Sequence, residues 1–62
     1  MKAEYFGYII QIEVDAFLSQ DGGICYSIAN ALVIDNLSDA NDTCQEGESI
    51  LRVRVKIEVV ND

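Results

Sequence analysis

The sequence contains no histidine, no tryptophan and no proline, and only four of its 62 residues are basic. Without histidine, the commonest general base and the commonest transition-metal ligand are both missing. On that inventory no enzyme and no cofactor is expected. Four bases against eleven acids, a formal net charge of -7, argue against direct nucleic-acid binding, which needs a cationic surface to meet phosphates. The same balance argues against attraction to an anionic membrane. No apolar run approaches the ~20 residues that a membrane helix requires. Met1-Lys2-Ala3-Glu4 leads into alternating residues, not into an unbroken apolar segment with a small-residue cleavage site. No secretory signal is therefore read, and a cytoplasmic location is expected. There Cys25 and Cys44 should be reduced, and disulfide frameworks usually have more than two cysteines.

What is present is globular in composition, with half of the residues hydrophobic and 24% charged. A single domain of this size buries only about 60% of its unfolded surface, so its core is marginal without a staple or a partner chain. The clearest pattern runs from Ile50 to Val60, where Leu51, Val53, Val55, Ile57 and Val59 alternate with Arg52, Arg54, Lys56 and Glu58. Successive strand side chains point to opposite faces, so this reads as a strand with one apolar and one charged face. It holds three of the four bases.

A first strand is read from Glu4 to Leu18, with Phe6, Tyr8, Ile10, Ile12, Val14, Ala16 and Leu18 on its apolar face. Its length calls for a bulge or bend, for which Gly7 is the natural place. Asp21-Gly22 then marks a hairpin. A two-residue turn there would pair Leu18 with Cys25 and mismatch the faces. A three-residue loop, Gln20-Asp21-Gly22 with Gly22 left-handed, pairs Leu18 with Ile24, Val14 with Ile28, Ile10 with Leu32 and Tyr8 with Ile34. Face matching favours the second register. A second strand is thus read from Ile24 to Asp35, with a helix spaced by Ile28, Ala31 and Leu32 as the rival reading. Asn30 interrupts its apolar face and needs a hydrogen-bond partner if buried.

The connection from Asn36 to Ser49 reads as one short helix near Ser38 to Glu46, capped by Ser38, with Ala40 and Cys44 sharing a face and Gly47 ending it. The fold class expected is a β-rich α+β domain, a three-stranded antiparallel sheet in the order β-β-α-β with one small helix. Neighbouring the second strand is the commoner place for the last one, although either neighbour is open to it.

Three constellations invite functional readings. The first is acidic: Asp35, Asp39, Asp42, Glu46 and Glu48 occupy the connection with no base among them. As a calcium loop from Asp35 it fails, because Leu37 stands at a ligand position and Ala40 replaces the turn glycine. Glu13 and Asp15 form a carboxylate pair, read as the counterions of Arg52, Arg54 or Lys56 rather than as a glycosidase dyad. Cys25 has no nearby base or cation to activate it. Tyr5, Tyr8 and Tyr26 are read first as core residues and second as interface anchors.

These residues point to a non-catalytic acidic protein-binding module, an inhibitor or regulator that meets a basic protein site as a charge mimic of nucleic acid. The expected contact residues are Asp35, Asp39, Asp42, Glu46 and Glu48. A structural or assembly protein joined through strand edges or its apolar sheet face is the alternative, and a small metal-binding protein the third reading. A homodimer is expected, because one short helix cannot cover the apolar sheet face.

Overall fold

The computed structural model describes residues 2–60. Four strands form one sheet in the order β3-β2-β1-β4, with β1 Lys2–Glu13, β2 Ala16–Leu18, β3 Ile24–Cys25 and β4 Ser49–Glu58. Among the described residues a 3-10 turn spans Ile28–Asn30, and α1 spans Leu37–Thr43. The class is α+β and strand-rich, as the alternation implies. The sheet has four strands rather than three, because the long first run is broken in two.

That break falls at Val14-Asp15, where the chain turns so that Glu13 pairs with Ala16 and Gln11 with Phe17. Neither Val14 nor Asp15 has a positive φ, so this is not one of the primed turns that suit strand twist. A register shift between Gln11 and Glu13 takes up the misfit. The bulge lies there and not at Gly7, which sits within a regular ladder opposite Val53. Gly7 is needed for room instead: a Cβ there would collide with Val33 Cγ1.

The second hairpin has the register that face matching selects. Leu18 pairs with Ile24, and Ser19 and Gly23 close a loop in which Gly22 is left-handed at a φ of 89°. The pairing then stops. Val14 lies in the turn, 83% exposed, and Leu32 donates its N–H to the Leu18 carbonyl over 2.9 Å, so neither Val14 with Ile28 nor Ile10 with Leu32 is formed. Only Tyr8 opposite Ile34 survives from the outer pairs, held by main-chain bonds of 2.8 and 2.7 Å. Between these ends Ser27 Oγ accepts the Ala29 N–H and starts the 3-10 turn, so most of the expected second strand is irregular. Asn30 is exposed there and needs no buried partner.

The helix is shorter than expected and starts one residue earlier. Asn36 caps it, accepting the Asp39 N–H at Oδ1 over 2.8 Å while its Nδ2 donates to Asp39 Oδ2. Cys44 is already extended, so the helix ends before Glu46 and Gly47. Ala40 is the residue it buries.

The last strand joins the first. Lys2 pairs with Glu58, Phe6 with Arg54 and Gln11 with Ser49 in an unbroken antiparallel ladder. This register puts even residues with even, so Phe6, Tyr8 and Ile10 share the face of Arg52 and Arg54, not that of Val53 and Val55. The single broad apolar face therefore does not exist. One small core forms on the odd face, where Ile9, Phe17 and Ala31 are buried against Val33, Leu51 and Val53. Ile10, Ala16 and Ala40 are buried outside that cluster.

Candidate functional site

Past Tyr8 the chain from Ala31 to Ile34 no longer borders β1, and among the described residues no further strand borders β4 on its outer side. The ends of these two strands, Lys2–Gly7 and Val53–Glu58, therefore project as a two-stranded ribbon from a molecule of extents 43 × 23 × 18 Å. A two-stranded ribbon alone is marginal in water. This one leaves Tyr5, Phe6, Ile57, Val59 and Val60 between 41% and 74% exposed.

Hydrogen-bond polarity follows from one pair of bonds. Tyr8 directs its N–H and C=O to Ile34, away from β4. In an antiparallel ladder these directions alternate, so the odd residues of β1 bond to the odd residues of β4. Arg52, Arg54, Lys56 and Glu58 consequently turn their main-chain groups outward, along a free edge. Lys2, Glu4 and Phe6 do the same on the opposite edge of the ribbon.

Side chains on the even face form a charged ladder. Lys56 Nζ lies 3.8 Å from Glu4 Oε1 and Lys2 Nζ 4.0 Å from Glu58 Oε2, both pairs well exposed. Arg52 stacks over the Phe6 ring at 4.3 Å from its centroid, with Arg54 at 5.9 Å. Glu13 and Asp15 are not the counterions of this ridge, because the turn places them at the far end of β1. The Phe6 ring and Glu4 take that role. On the odd face an open groove of about 670 Å³ runs between Tyr5, Val53 and Val55 on one side and Ile28, Ala29 and Leu32 on the other, with Arg54 and Lys56 at its rim.

The charges are segregated along the molecule. All four bases lie on the ribbon or its base, with Glu4 and Glu58 among them. Glu13, Asp15, Asp21, Asp35, Asp39, Asp42, Glu46 and Glu48 lie on the body, which carries no base. Of the five acids expected to bind a partner, Asp35, Asp39, Asp42 and Glu46 are exposed. Asp39 is engaged in the helix cap, and Glu48 accepts the Gln45 N–H at 3.0 Å. No group of three carboxylates or thiols is placed to share a metal ion among the described residues. Asp21 titrates below its ordinary value of 3.8, first because its carboxylate accepts the Gly23 N–H. Cys25 and Cys44 are free thiols, both partly buried.

Among the described residues no helix is long and apolar enough to cross a membrane. Comparison with known protein families, with curated proteins and with solved structures finds no match to this chain. The ribbon is a site that alternation alone does not reveal. Its signal is the run of β-branched residues from Val53 to Val60, which reads equally well as a buried face.

Proposed function

We propose that this chain is a non-catalytic protein-binding module that associates with another protein chain through its projecting ribbon. The observation that carries the reading is the pair of free strand edges flanked by exposed Tyr5, Phe6, Ile57 and Val59. Free main-chain donors and acceptors supply affinity in strand addition, and alternate side chains supply selectivity. Exposed apolar residues clustered beside such an edge mark an association surface.

The eight carboxylates of the body support a second reading, in which Asp35, Asp39, Asp42, Glu46 and Glu48 meet a basic protein site as an inhibitor or regulator would. A field of one sign speeds encounter with a cationic surface and is weakened by salt. Two variants separate the readings in capture from native extract followed by mass spectrometry. Proteins held by the wild type and lost by Tyr5→Ser/Ile57→Ser support the ribbon. Proteins still held by that variant, but lost on replacing Asp39, Asp42 and Glu46 by Asn, Asn and Gln, assign the contact to the acidic end.

A further inference from the structure

We propose that the ribbon's occupant is a second copy of this chain, joined antiparallel along the free edge of β4 about a two-fold axis at Ile57. This deepens the ribbon reading and rests on it. The argument begins with five residues, Val55-Lys56-Ile57-Glu58-Val59. Set antiparallel to itself about Ile57, this segment places Lys56 opposite Glu58 of the second copy, twice, and Val55 opposite Val59, twice. The segment is complementary to itself.

Backbone polarity allows this register. Lys56 and Glu58 are the residues whose main-chain groups face outward, and a hydrogen-bonded antiparallel pair needs two such residues directly opposed. Ile57 then meets its own copy in a non-hydrogen-bonded pair, the close spacing of about 4.5 Å. Charge selects the register from its rivals. A centre at Arg52, Arg54, Lys56 or Glu58 sets that charge against itself. A centre at Val53 opposes Arg52 to Arg54, and one at Val55 opposes Arg54 to Lys56. Like charges directly opposed across strands are unfavourable. Between Arg52 and Glu58 only Ile57 avoids them.

The existing ladder extends across the axis. Glu4 faces Lys56 at 3.8 Å and Lys2 faces Glu58 at 4.0 Å within one copy. The joined sheet therefore carries two rows reading Glu4, Lys56, then Glu58 and Lys2 of the second copy, alternating in sign throughout. On the other face Ile57, 51% exposed because its only ladder partner is the small Ala3, gains the second Ile57 beside it. The acidic bodies end up on opposite sides of the axis. Six residue steps from Leu51 to Ile57, at roughly 3.3 Å each, put each body's edge ~20 Å from the axis. That separates the bodies by several screening lengths of about 8 Å.

The test uses complementary charge reversals, Lys56→Glu and Glu58→Lys, with mass measured by light scattering or sedimentation equilibrium at tens to hundreds of micromolar. The wild type is expected at twice its 6.9 kDa. Each variant alone opposes like charges across the axis and should dimerise at least ~tenfold more weakly. Mixed in equal amounts they restore opposite signs at both pairs. The glutamate introduced in one variant meets the lysine introduced in the other, the native Glu58 of the first meets the native Lys56 of the second, and the dimer should return. Recovery in the mixture also shows that neither variant is merely unfolded. In a Cys25→Ser/Cys44→Ser background, Ile57→Cys should cross-link on oxidation, the close pair lying within disulfide reach. Two variants that stay dimeric alone, or a mixture that stays monomeric, would overturn the register. A wild type that is monomeric throughout would overturn the second copy as occupant, while leaving the ribbon open to a different chain.

Discussion

At Gly7 the middle of β1 passes so close to the Ala31–Ile34 segment that an added Cβ would strike Val33 and lie 3.2 Å from the Ile34 carbonyl oxygen. The obstacle behind the side chain is backbone, so it cannot swing away. Gly7→Ala should therefore cost about 1–3 kcal/mol, as overpacking does, seen as a lower denaturant midpoint; an unchanged midpoint would mean that the two segments do not approach this closely. Sequence marks Gly7 as unusual but not why. A glycine inside an alternating run signals a bend or a close approach equally, and only the crossing segment decides. Asp21 is more legible, since Asp-Gly between apolar runs names its own turn. Its carboxylate accepts the Gly23 N–H at 2.9 Å, which lowers its pKa below 3.8. A depressed carboxylate pKa contributes stability above the unfolded value, lost as pH falls through the folded one. Carboxyl chemical shifts followed in acid should thus show Asp21 titrating below 3.8, and Asp21→Ala should remove that acid-dependent contribution.

At the scale of elements, the strongest pattern is indeed a strand, but its charged face and not its apolar face joins the even residues of β1. Alternation in β1 and in β4 each defines an apolar face, yet alternation cannot say which faces coincide. The ladder of Phe6 with Arg54 settles it, and a guanidinium over an aromatic ring makes the mixed face favourable. The turn at Val14-Asp15 is hidden for a related reason. Val14, Ala16 and Leu18 continue the even-numbered pattern without interruption, and no glycine, asparagine or proline marks the reversal. The pairing of Leu18 with Ile24 is legible because one register alone matches faces. The helix is legible in existence but not in its start, since Asn36 and Ser38 are both good caps. Asn36 satisfies the Asp39 N–H, so Asn36→Ala should destabilise by about 1 kcal/mol. Ser38→Ala, already inside the helix and exposed, should change stability by less than about 0.5 kcal/mol. Equal losses in urea titrations of the two variants would put the cap back at Ser38.

Seen as a whole molecule, the chain sets a small two-sided core and an acidic body at one end and a charged, β-branched ribbon at the other. So small a core leaves little stability to spare, and Val53 is the ribbon residue that packs against it. Covering the ribbon's edge stabilises strands that are otherwise marginal. The candidate site is legible in part: exposed strand edges are an expectation of the sequence, but the apolar sheet face on which it rests a homodimer is dissolved by the true register. Main-chain amides report the edge directly. With β4 joined to a second copy, the amides of Lys56 and Glu58 should exchange with solvent progressively more slowly as protein concentration rises from micromolar to millimolar. Those of Glu4 and Phe6, on the opposite edge of the ribbon, should keep their rates. Exchange at Lys56 and Glu58 that is independent of concentration, or slowing at Glu4 and Phe6 instead, would contradict the β4 edge as the place where two copies of this chain join.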